Sequence, residues 1–263
     1  MGTGIRNSQL NKTRGVLYHV FDSYEFVEEC IYSLKTFKKF HPEIPATLFT
    51  NLAIKDAHKK YFENIVTINV ILPRFVYKVF CLQQSLYDYT LYLDGDTEIR
   101  QSVHELFDFL DYYDFIFTRA IDFDFTKTPY QFKNYIDEKH CNAGIMLFKN
   151  SPAGNSFIDN WFDVSKSVEF ERTVGEKTFM SYDDQMALNY LLRDVNYPQQ
   201  INLRVLYLPG KIYNAVTYAF SRLKTDGQIP YIKIAHGHEL FRQQLGNKIS
   251  DKLNYLKKKY FAW

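Results

Sequence analysis

The stretch T-L-Y-L-D-G-D-T-E-I, residues 90–99, decides the fold and the chemistry expected for this chain. Its first four residues, Thr90–Leu93, predict a buried strand. Asp94 and Asp96 follow, separated by one glycine. Ligands of open α/β sheets bind beyond the carboxyl ends of the strands, so both carboxylates are expected at a binding site. A divalent cation such as Mg²⁺ or Mn²⁺ would offset the repulsion between them. The alternative is an acidic turn that caps the next helix, and the stretch alone does not separate the two.

The composition favours one globular α/β domain. The chain has 263 residues, of which 46% are hydrophobic, enough for a sizeable core. The 32 Lys and Arg residues nearly balance the 30 Asp and Glu residues, which argues against a general nucleic-acid-binding protein. The cysteines Cys30, Cys81 and Cys141 form no C-x-x-C motif and are expected to be reduced core residues. No apolar run suits a signal peptide or a membrane span, so a cytoplasmic protein is expected.

Strands alternate with helices along the chain, and this order predicts a mostly parallel, doubly wound, Rossmann-like sheet with flanking helices. The predicted strands are 15–21, 46–50, 65–70, 90–93, 115–118, 143–148, 204–208 and 231–235. The first predicted helix has Asp22 as its candidate N-cap. The other predicted helices span about 53–62, 75–86, 102–110, 155–164, 182–192 and 240–260. Residues 119–141 and 167–181 are expected to be irregular.

The alternation also suggests how the chain is divided. Residues 1–14 are polar and are expected to form a flexible arm. The regular rhythm weakens after residue 118, which suggests a nucleotide-binding half, 15–118, and a half that faces the acceptor and the donor sugar, 119–240. Residues 241–263 predict a basic amphipathic helix. That helix either contacts an anionic membrane surface peripherally or packs on the core.

Two further motifs stand where a strand or a helix is predicted to begin. Asn142 and Gly144 precede a strand; the amide could bind sugar hydroxyls, and the small residues would let a ligand approach the backbone. Asp184 and Gln185 stand at a helix start, beside Asp183. One aspartate can cap the helix, and the other groups could bind sugar hydroxyls or stabilise positive charge at a sugar carbon. A turn and a plain helix cap are the alternatives.

Four more residues are candidates for ligand contact. His236 follows a late strand, where a ring nitrogen can complete a metal site. Lys78, on the helix before the key strand, could reach a phosphate. Tyr24 could stack on a base, and Asp122 could contact a sugar. For each of these residues an ordinary structural or surface role is the alternative.

In this order the motifs resemble the GT-A nucleotide-diphospho-sugar glycosyltransferases. More narrowly, they resemble glycosyltransferase family 8, which includes glycogenin and bacterial galactosyltransferases. The resemblance covers roughly residues 15–240 and implies a single GT-A domain. It implies that Asp94, Asp96 and His236 bind Mn²⁺ or Mg²⁺. It further implies that the nucleotide-sugar donor contacts Asp22, Tyr24, Lys78, Asp94, Asp122, Asn142, Gly144, Asp184 and Gln185.

The resemblance implies metal-dependent transfer of a hexose from a UDP-sugar or related donor to a sugar or other hydroxyl acceptor, with retention. Asp184, Gln185 and Lys78 would be the catalytic residues. The family's usual H-x-x-G-x-x-K-P-W ending is replaced by H-G-H-E-L-F at 236–241, so the lysine that assists the leaving diphosphate is missing. The change leaves His236 and His238 as competing metal ligands, and His236 is favoured because it directly ends the strand.

Two other functions fit parts of the pattern. A sugar-1-phosphate nucleotidylyltransferase would share the fold and the metal carboxylates, but it needs a glycine-rich loop directly after the first strand. Here Gly2 and Gly4 precede that strand. A non-catalytic nucleotide-sugar-binding protein would tolerate loss of Asp184 or His236, yet both are present.

Overall fold

The structure is a computed structural model that describes residues 12–120, 140–174 and 177–242. The strands are β1 (Arg14–Val20), β2 (Ala46–Thr50), β3 (Asn64–Thr67), β4 (Tyr89–Leu93), β5 (Thr97–Ile99), β6 (Phe115–Arg119), β7 (Cys141–Lys149), β8 (Phe170–Val174), β9 (Lys177–Ser181), β10 (Val205–Leu208), β11 (Ala215–Val216) and β12 (Ile234–His236). The helices are α1 (Tyr24–Lys38), α2 (Asp56–Lys59), α3 (Val76–Gln83), α4 (His104–Phe109), α5 (Pro152–Ser167), α6 (Asp184–Asn189), α7 (Tyr197–Gln200), α8 (Gly210–Tyr213) and α9 (Phe220–Thr225). A π-helical turn, Tyr190–Asp194, continues α6.

The described residues form a central seven-stranded sheet of order β10-β6-β7-β4-β1-β2-β3. Neighbouring strands are parallel except at β7, which runs antiparallel between β4 and β6. The key strand β4 is therefore central, with Leu91 paired to Val16 on one side and to Leu147 on the other. All five of its residues are buried. The predicted α/β fold with a mostly parallel sheet and flanking helices is confirmed.

Alternate residues of the strands pack on opposite faces of the sheet. Val16 and Tyr18 of β1 belong to a core formed with α1 and α4. Leu17 belongs to a second core, formed with α3, α5 and α6. Trp161 of α5 is fully buried in this second core, and its indole N–H donates to the Asp184 backbone carbonyl at 2.8 Å. Packing on this face therefore fixes the start of α6.

A small sheet of order β11-β12-β5 lies beyond the end of β4. Its strand β12 pairs antiparallel with β5, so that His236 faces Thr97. The Gly237 N–H donates to the Asp96 carbonyl at 2.9 Å, which extends the pairing by one bond. This sheet therefore brings a residue from late in the chain beside the D-G-D stretch. The sequence pattern did not predict β5.

Several predicted boundaries were wrong. The stretch 167–181 was expected to be a loop but contains the end of α5 and the β8–β9 hairpin. Helix α1 does not use Asp22 as its N-cap, because Asp22 adopts a left-handed conformation (φ 67°) and Ser23 precedes the first helical turn. The late strand begins only at Ile234, after a 3₁₀ turn that contains Pro230.

Some predictions fall on residues outside the described ranges. They concern most of the N-terminal arm, Asp122 and the C-terminal amphipathic helix. Strand β1 begins at Arg14, one residue inside the predicted arm. Within the ranges that are described, no helix combines the length and the apolar character needed to cross a bilayer.

Candidate active site

Asp94 and Asp96 lie at the carboxyl end of β4, as the sequence predicted. The Asp94 N–H donates to the Gly144 carbonyl at 2.8 Å, which ties the turn to β7. Gly95 lies against α1, where an added Cβ would come within 2.6 Å of Cys30 Sγ. The glycine between the two acids therefore lets α1 approach the turn closely.

His236 faces both carboxylates. Its Nε2 lies 3.2 Å from Asp96 Oδ1 and 3.7 Å from Asp94 Oδ2. Its Nδ1–H donates a hydrogen bond to Asn214 Oδ1, at 2.8 Å. Burial alone would lower the His236 pKa, but contact with Asp96 and Asp94 raises it. Burial acts to raise the Asp96 pKa, but the contact with His236 lowers it to about 2.

These three residues can hold a divalent cation. One ligand atom from each of Asp94, Asp96 and His236 lies within 4.8 Å of the others. The Asn214 side-chain oxygen keeps the proton of the neutral His236 ring on Nδ1. The Nε2 lone pair of that ring then points toward the carboxylates. Two carboxylate oxygens and one imidazole nitrogen suit Mn²⁺ and, with water, Mg²⁺. The donor set therefore fits the predicted ion.

Asn142 and Gly144 help to position the His236 ring. The Asn142 Oδ1 accepts the Gly144 N–H at 2.8 Å and an Asn214 amide N–H at 2.9 Å. An added Cβ on Gly144 would lie 2.3 Å from His236 Cε1. Gly144 thus makes room for the imidazole ring. The predicted contact between Gly144 and a ligand stays a prediction.

Asn214 was not assigned a role from the sequence. Its Nδ2 also donates to Thr118 Oγ1 at 2.7 Å, so the buried amide joins β6, β7 and β12. The sequence feature that could have identified Asn214 is its position at the end of L-P-G-K-I-Y-N, residues 208–214, which is one of the ordered motifs. The pairing with His236 depends on the small sheet, which was not predicted.

Lys78 is buried at the centre of the site, with 12% of its side chain exposed, so a solvated surface position is excluded. Its Nζ lies 3.1 Å from Asp94 Oδ1 and 2.9 Å from Asp184 Oδ2. It also donates to the Ala143 carbonyl at 3.2 Å. Burial acts to lower the Lys78 pKa, but Asp184 and Asp94 outweigh burial and raise it. The ammonium is therefore a permanent cation between two carboxylates.

The two aspartates before α6 have different roles. Asp183 is the N-cap, and its Oδ1 accepts the Met186 N–H at 2.9 Å. Asp184 is therefore available to pair with Lys78. Burial raises the Asp184 pKa, and the opposing effect of Lys78 only partly offsets it. Gln185 Oε1 accepts the Ala143 N–H at 3.2 Å, which holds α6 against the start of β7.

His238 contacts the site from its edge. Its Nδ1 lies 3.0 Å from Oε2 of the buried Glu29 and 3.6 Å from Asp96 Oδ2. The hydrogen bond with Glu29 is the main cause that raises the His238 pKa to about 9. The ring is therefore protonated at neutral pH.

A hydrogen-bonded chain beneath Asp94 was not predicted. The Tyr92 hydroxyl donates to Asp94 Oδ1 and lies 2.8 Å from His19 Nδ1. Burial lowers the His19 pKa to about 4, so this ring is neutral. A neutral donor thus supports the Asp94 carboxylate on the side away from solvent.

Asp22 and Tyr24 lie near the end of β1 but do not line the cavity that contains the acids. Asp22 Oδ1 accepts the Asn51 amide N–H at 2.8 Å, and the Tyr24 hydroxyl donates to the Ala53 carbonyl at 2.5 Å. The structure therefore does not bring these two residues together with Asp94. Their contact with a base stays a prediction.

Two adjoining cavities meet at the acid cluster. The smaller, of about 230 Å³, is lined by side chains from β1, α1 and the start of α3. The larger, of about 580 Å³, is lined by Asn142, Asp184 and Gln185 and by residues 216–218. Six residues line both cavities: Phe75, Lys78, Asp96, Asp184, His236 and His238. A ligand that occupied both would therefore cross the acid cluster.

A second group of metal-ligand types, His41, Glu43 and His104, lies apart from this site. The Val103 N–H donates to His41 Nε2 at 3.0 Å, so Nδ1 of the neutral ring carries the proton. That leaves His41 without a lone pair for a metal. We assign this group a structural role.

Comparison with known protein families gives a match in the second half of the chain. Residues 117–232 match the model of the galactosyl transferase GMA12/MNN10 family. The D-G-D stretch and His236 lie outside that match. No sequence among the curated proteins matches the chain significantly.

Solved structures share the fold. One is a galactosyltransferase, LgtC, in complex with donor and acceptor sugar analogues, with a TM-score of 0.54 and 15% identity over 85% of this chain and 87% of that chain. Another is the glycosyltransferase GlyE of Streptococcus pneumoniae, with a TM-score of 0.58 and 17% identity over 86% of this chain. The alignment covers 54% of the GlyE chain, so this chain spans about half its length.

A third is a glycosyltransferase involved in glycosylation of the major capsid of PBCV-1, with a TM-score of 0.53 and 9% identity over 86% of this chain and 93% of that chain. At these identities the structures establish the GT-A fold, and the narrower resemblance to family 8 is consistent with them. With the family match over residues 117–232, the chain is similar to glycosyltransferases of the GT-A type.

Proposed function

We propose that the protein transfers a hexose from a nucleotide-diphosphate sugar, in the first instance a UDP-sugar, to a hydroxyl group of a carbohydrate or similar acceptor, with Mn²⁺ or Mg²⁺. The observation that carries the proposal is the meeting of Asp94, Asp96 and His236 with the Lys78–Asp184 pair between two cavities. The first group suits a cation that binds diphosphate, and the second suits a sugar and its leaving group.

The donor would lie across the acid cluster. Its nucleoside would occupy the smaller cavity and its hexose the larger one, where Asn142, Asp184 and Gln185 offer hydrogen-bonding groups. The acceptor would enter the larger cavity from solvent. In this arrangement the diphosphate would lie beside Lys78, a buried cation that lines both cavities.

The chemistry follows from the charges. The bond between the sugar carbon and the β-phosphate oxygen breaks, a bond to the acceptor oxygen forms, and the acceptor proton passes to the departing phosphate. A divalent cation held by Asp94, Asp96 and His236 would neutralise charge on that diphosphate. Lys78 adds a fixed positive charge on the same side. The Asp184 carboxylate and the Gln185 amide oxygen are the groups that would stabilise the oxocarbenium-like sugar carbon.

Retention of the anomeric configuration is proposed from the resemblance to family 8. The anomeric coupling constant of the first product, measured by NMR before mutarotation, tests it directly. A product of inverted configuration would remove this part of the proposal without affecting the rest.

Calorimetry tests donor binding. We expect UDP to bind in the presence of Mn²⁺ and to bind much more weakly without it. Asp96→Ala should abolish the metal-dependent part while its circular dichroism spectrum matches the wild type. The proposal is wrong if UDP, GDP and the other nucleoside diphosphates all fail to bind with metal present. Retained metal-dependent binding in the variant would return the Asp pair to a structural role.

Turnover separates the enzyme from a non-catalytic binding protein. Release of UDP from UDP-hexoses in the presence of Mn²⁺, followed across a set of donors, should identify the sugar. The nucleotidylyltransferase alternative predicts release of pyrophosphate from UTP and a sugar phosphate instead. The segment after β1, F-D-S-Y at 21–24, contains no glycine, which argues against that alternative.

A further inference from the structure

We propose that Asn189 is a positioning residue for the transfer. Its side-chain amide binds both backbone groups of Cys141 and thereby fixes α6, which carries Asp184 and Gln185, against β7. The inference rests on the proposed function, because it concerns the helix whose side chains would face the donor hexose. Asn189 lines neither of the two cavities, so it would act through α6 and not by contact with a ligand.

Strand β7 extends beyond the end of β4. The pairing of these two strands ends at Leu93 and Ile145, with one further bond from the Asp94 N–H to the Gly144 carbonyl. Among the described strands, none therefore pairs with residues 141–143 on the side of β4. A buried peptide group without a partner is costly, so side chains have to supply the missing bonds.

Side chains from α3 and α6 take the place of the missing strand. Lys78 donates to the Ala143 carbonyl at 3.2 Å, and Gln185 accepts the Ala143 N–H at 3.2 Å. Two residues earlier in β7, Asn189 Oδ1 accepts the Cys141 N–H at 2.8 Å, and Asn189 Nδ2 donates to the Cys141 carbonyl at 3.0 Å. Alternate residues of an antiparallel strand direct their backbone groups to the same side, as Cys141 and Ala143 do here.

A third bond ties this pairing to the helix itself. Asn189 Nδ2 also donates to the Gln185 carbonyl, four residues earlier, at 2.8 Å. Asn189 is buried, with 2% of its surface exposed, and both of its donors are used inside the protein. A buried amide is unfavourable unless it is bonded in this way. The pairing with Cys141 therefore explains why an amide is present at this core position.

Asn189 and Trp161 hold the two ends of α6. The Trp161 indole N–H donates to the carbonyl of Asp184, the first residue of the helix, and Asn189 is the last. The helix has only six residues, so a shift at Asn189 would also move Asp184 and Gln185. A displacement of about 1 Å at groups beside the reacting carbon is sufficient to lower the rate about 100-fold.

The test compares binding of UDP with turnover of the UDP-hexose that the wild type uses fastest, each with Mn²⁺ present. Asn189→Leu has a similar volume but loses the three bonds, so its kcat for release of UDP should fall about 100-fold. UDP has no hexose to contact α6, so the variant should bind UDP as the wild type does. A purely structural role would lower the stability to urea and leave the kcat of the folded protein unchanged.

Leu106→Ala is the matched control for lost stability. Leu106 is fully buried on α4, in the core on the opposite face of the sheet, and lines neither cavity. This variant should be at least as sensitive to urea as Asn189→Leu and should keep the wild-type kcat at a temperature where both are folded. Equal losses of kcat would show that general loosening, and not the position of α6, slows the reaction.

Asn189→Asp tests the pairing itself and keeps the comparison valid if the leucine variant does not fold. A protonated carboxyl group can accept the Cys141 N–H and donate to the Cys141 carbonyl, whereas an ionised one has no donor. The kcat of Asn189→Asp should therefore exceed that of Asn189→Leu, by a margin that widens as the pH falls. Equal kcat values at every pH would overturn the pairing.

The outcomes separate this role from the proposed function. If the wild type releases UDP from a UDP-hexose and Asn189→Leu keeps the same kcat, the positioning role alone is wrong. If the wild type binds UDP but releases none from any UDP-hexose, the proposed transfer is wrong, and the positioning role is wrong with it.

Discussion

Lys78 Nζ lies 2.9 Å from Asp184 Oδ2 and 3.1 Å from Asp94 Oδ1, so one buried cation joins the end of β4 to the start of α6. These two carboxylates come from distant parts of the chain. Buried charges are tolerated when they are paired, and loss of one partner leaves the others uncompensated. We therefore expect Lys78 to be needed for the fold of the site as well as for its proposed chemistry.

Removing Lys78 should destabilise the protein. We expect Lys78→Met to lower the free energy of unfolding by about 3 kcal/mol at pH 7, because it leaves two buried carboxylates without their cation. Urea unfolding of the metal-free protein measures this value. Lys59→Met removes a lysine from an exposed pair with Asp56 and should change the same quantity by less than about 0.5 kcal/mol. Equal effects of the two substitutions would show that Lys78 has no special structural role.

Gly144→Ala should weaken metal binding. The new Cβ would clash with the His236 ring, which must then turn away from the carboxylates. We expect Mn²⁺ affinity to fall about 10- to 100-fold, as for other changes that disturb the orientation of a ligand. Electron paramagnetic resonance of free Mn²⁺ gives the affinity.

Gly154→Ala is its control. At position 154 the new Cβ would lie 2.7 Å from the Lys149 backbone carbonyl oxygen, away from Asp94 and Asp96. This variant should lose stability by about 1–3 kcal/mol and keep the Mn²⁺ affinity of the wild type. If both variants lose affinity equally, the loss reflects general destabilisation rather than the position of His236.

Asn214→Leu should also reduce Mn²⁺ affinity, by about tenfold, because His236 loses the acceptor that fixes its Nδ1 proton. The same titration measures it. Asn155→Leu removes an exposed amide whose partner is Asn150 and should leave the affinity unchanged. Unchanged binding in Asn214→Leu would mean that packing against Gly144 alone orients the ring.

Asp114 should contribute a pH-dependent part of the stability. Its carboxylate accepts the Arg204 backbone and guanidinium N–H groups at 3.0 Å and pairs with Lys149 at 3.2 Å. Although burial acts to raise it, these contacts hold the Asp114 pKa well below its usual value of 3.8. The folded state thus favours the ionised form. The contribution is complete above about pH 5 and is lost progressively as the pH falls below that value.

The test compares Asp114→Asn with the wild type in urea at pH 7 and at pH 3. We expect the variant to be about 2 kcal/mol less stable at pH 7, with a smaller difference at pH 3. A difference that stays constant between these pH values would show that the charge of Asp114 does not matter.

The sequence predicted the elements whose signal is local. The buried strand at Thr90–Leu93, the position of the two acids after it and the mostly parallel sheet follow from residue type and alternation. The β8–β9 hairpin and the short strand β5 were missed, because they have few residues and no clear period. Asp22 was taken as a cap because its type suits one, whereas its actual conformation depends on Asn51 in the next loop.

The site was predicted only in part, because only some of its residues belong to a local sequence motif. Lys78, Asp94, Asp184 and His236 were singled out, and the structure brings all four together. Asn214 and Glu29 were not, because each acts through a partner distant in sequence. Tyr92 donates to Asp94 two residues on, but its other partner, His19, is distant in sequence.

The pairing of β12 with β5 has a consequence for how the protein is made. A chain emerging from the ribosome can build β4 and its two acids long before Ile234–His236 has been synthesised. Until β12 takes its place, only the carboxylate oxygens of the proposed metal site are present, and its proposed third ligand, His236, is missing. Competence to load the metal, and with it the donor, would therefore arise late in synthesis, once the rest of the sheet is in place.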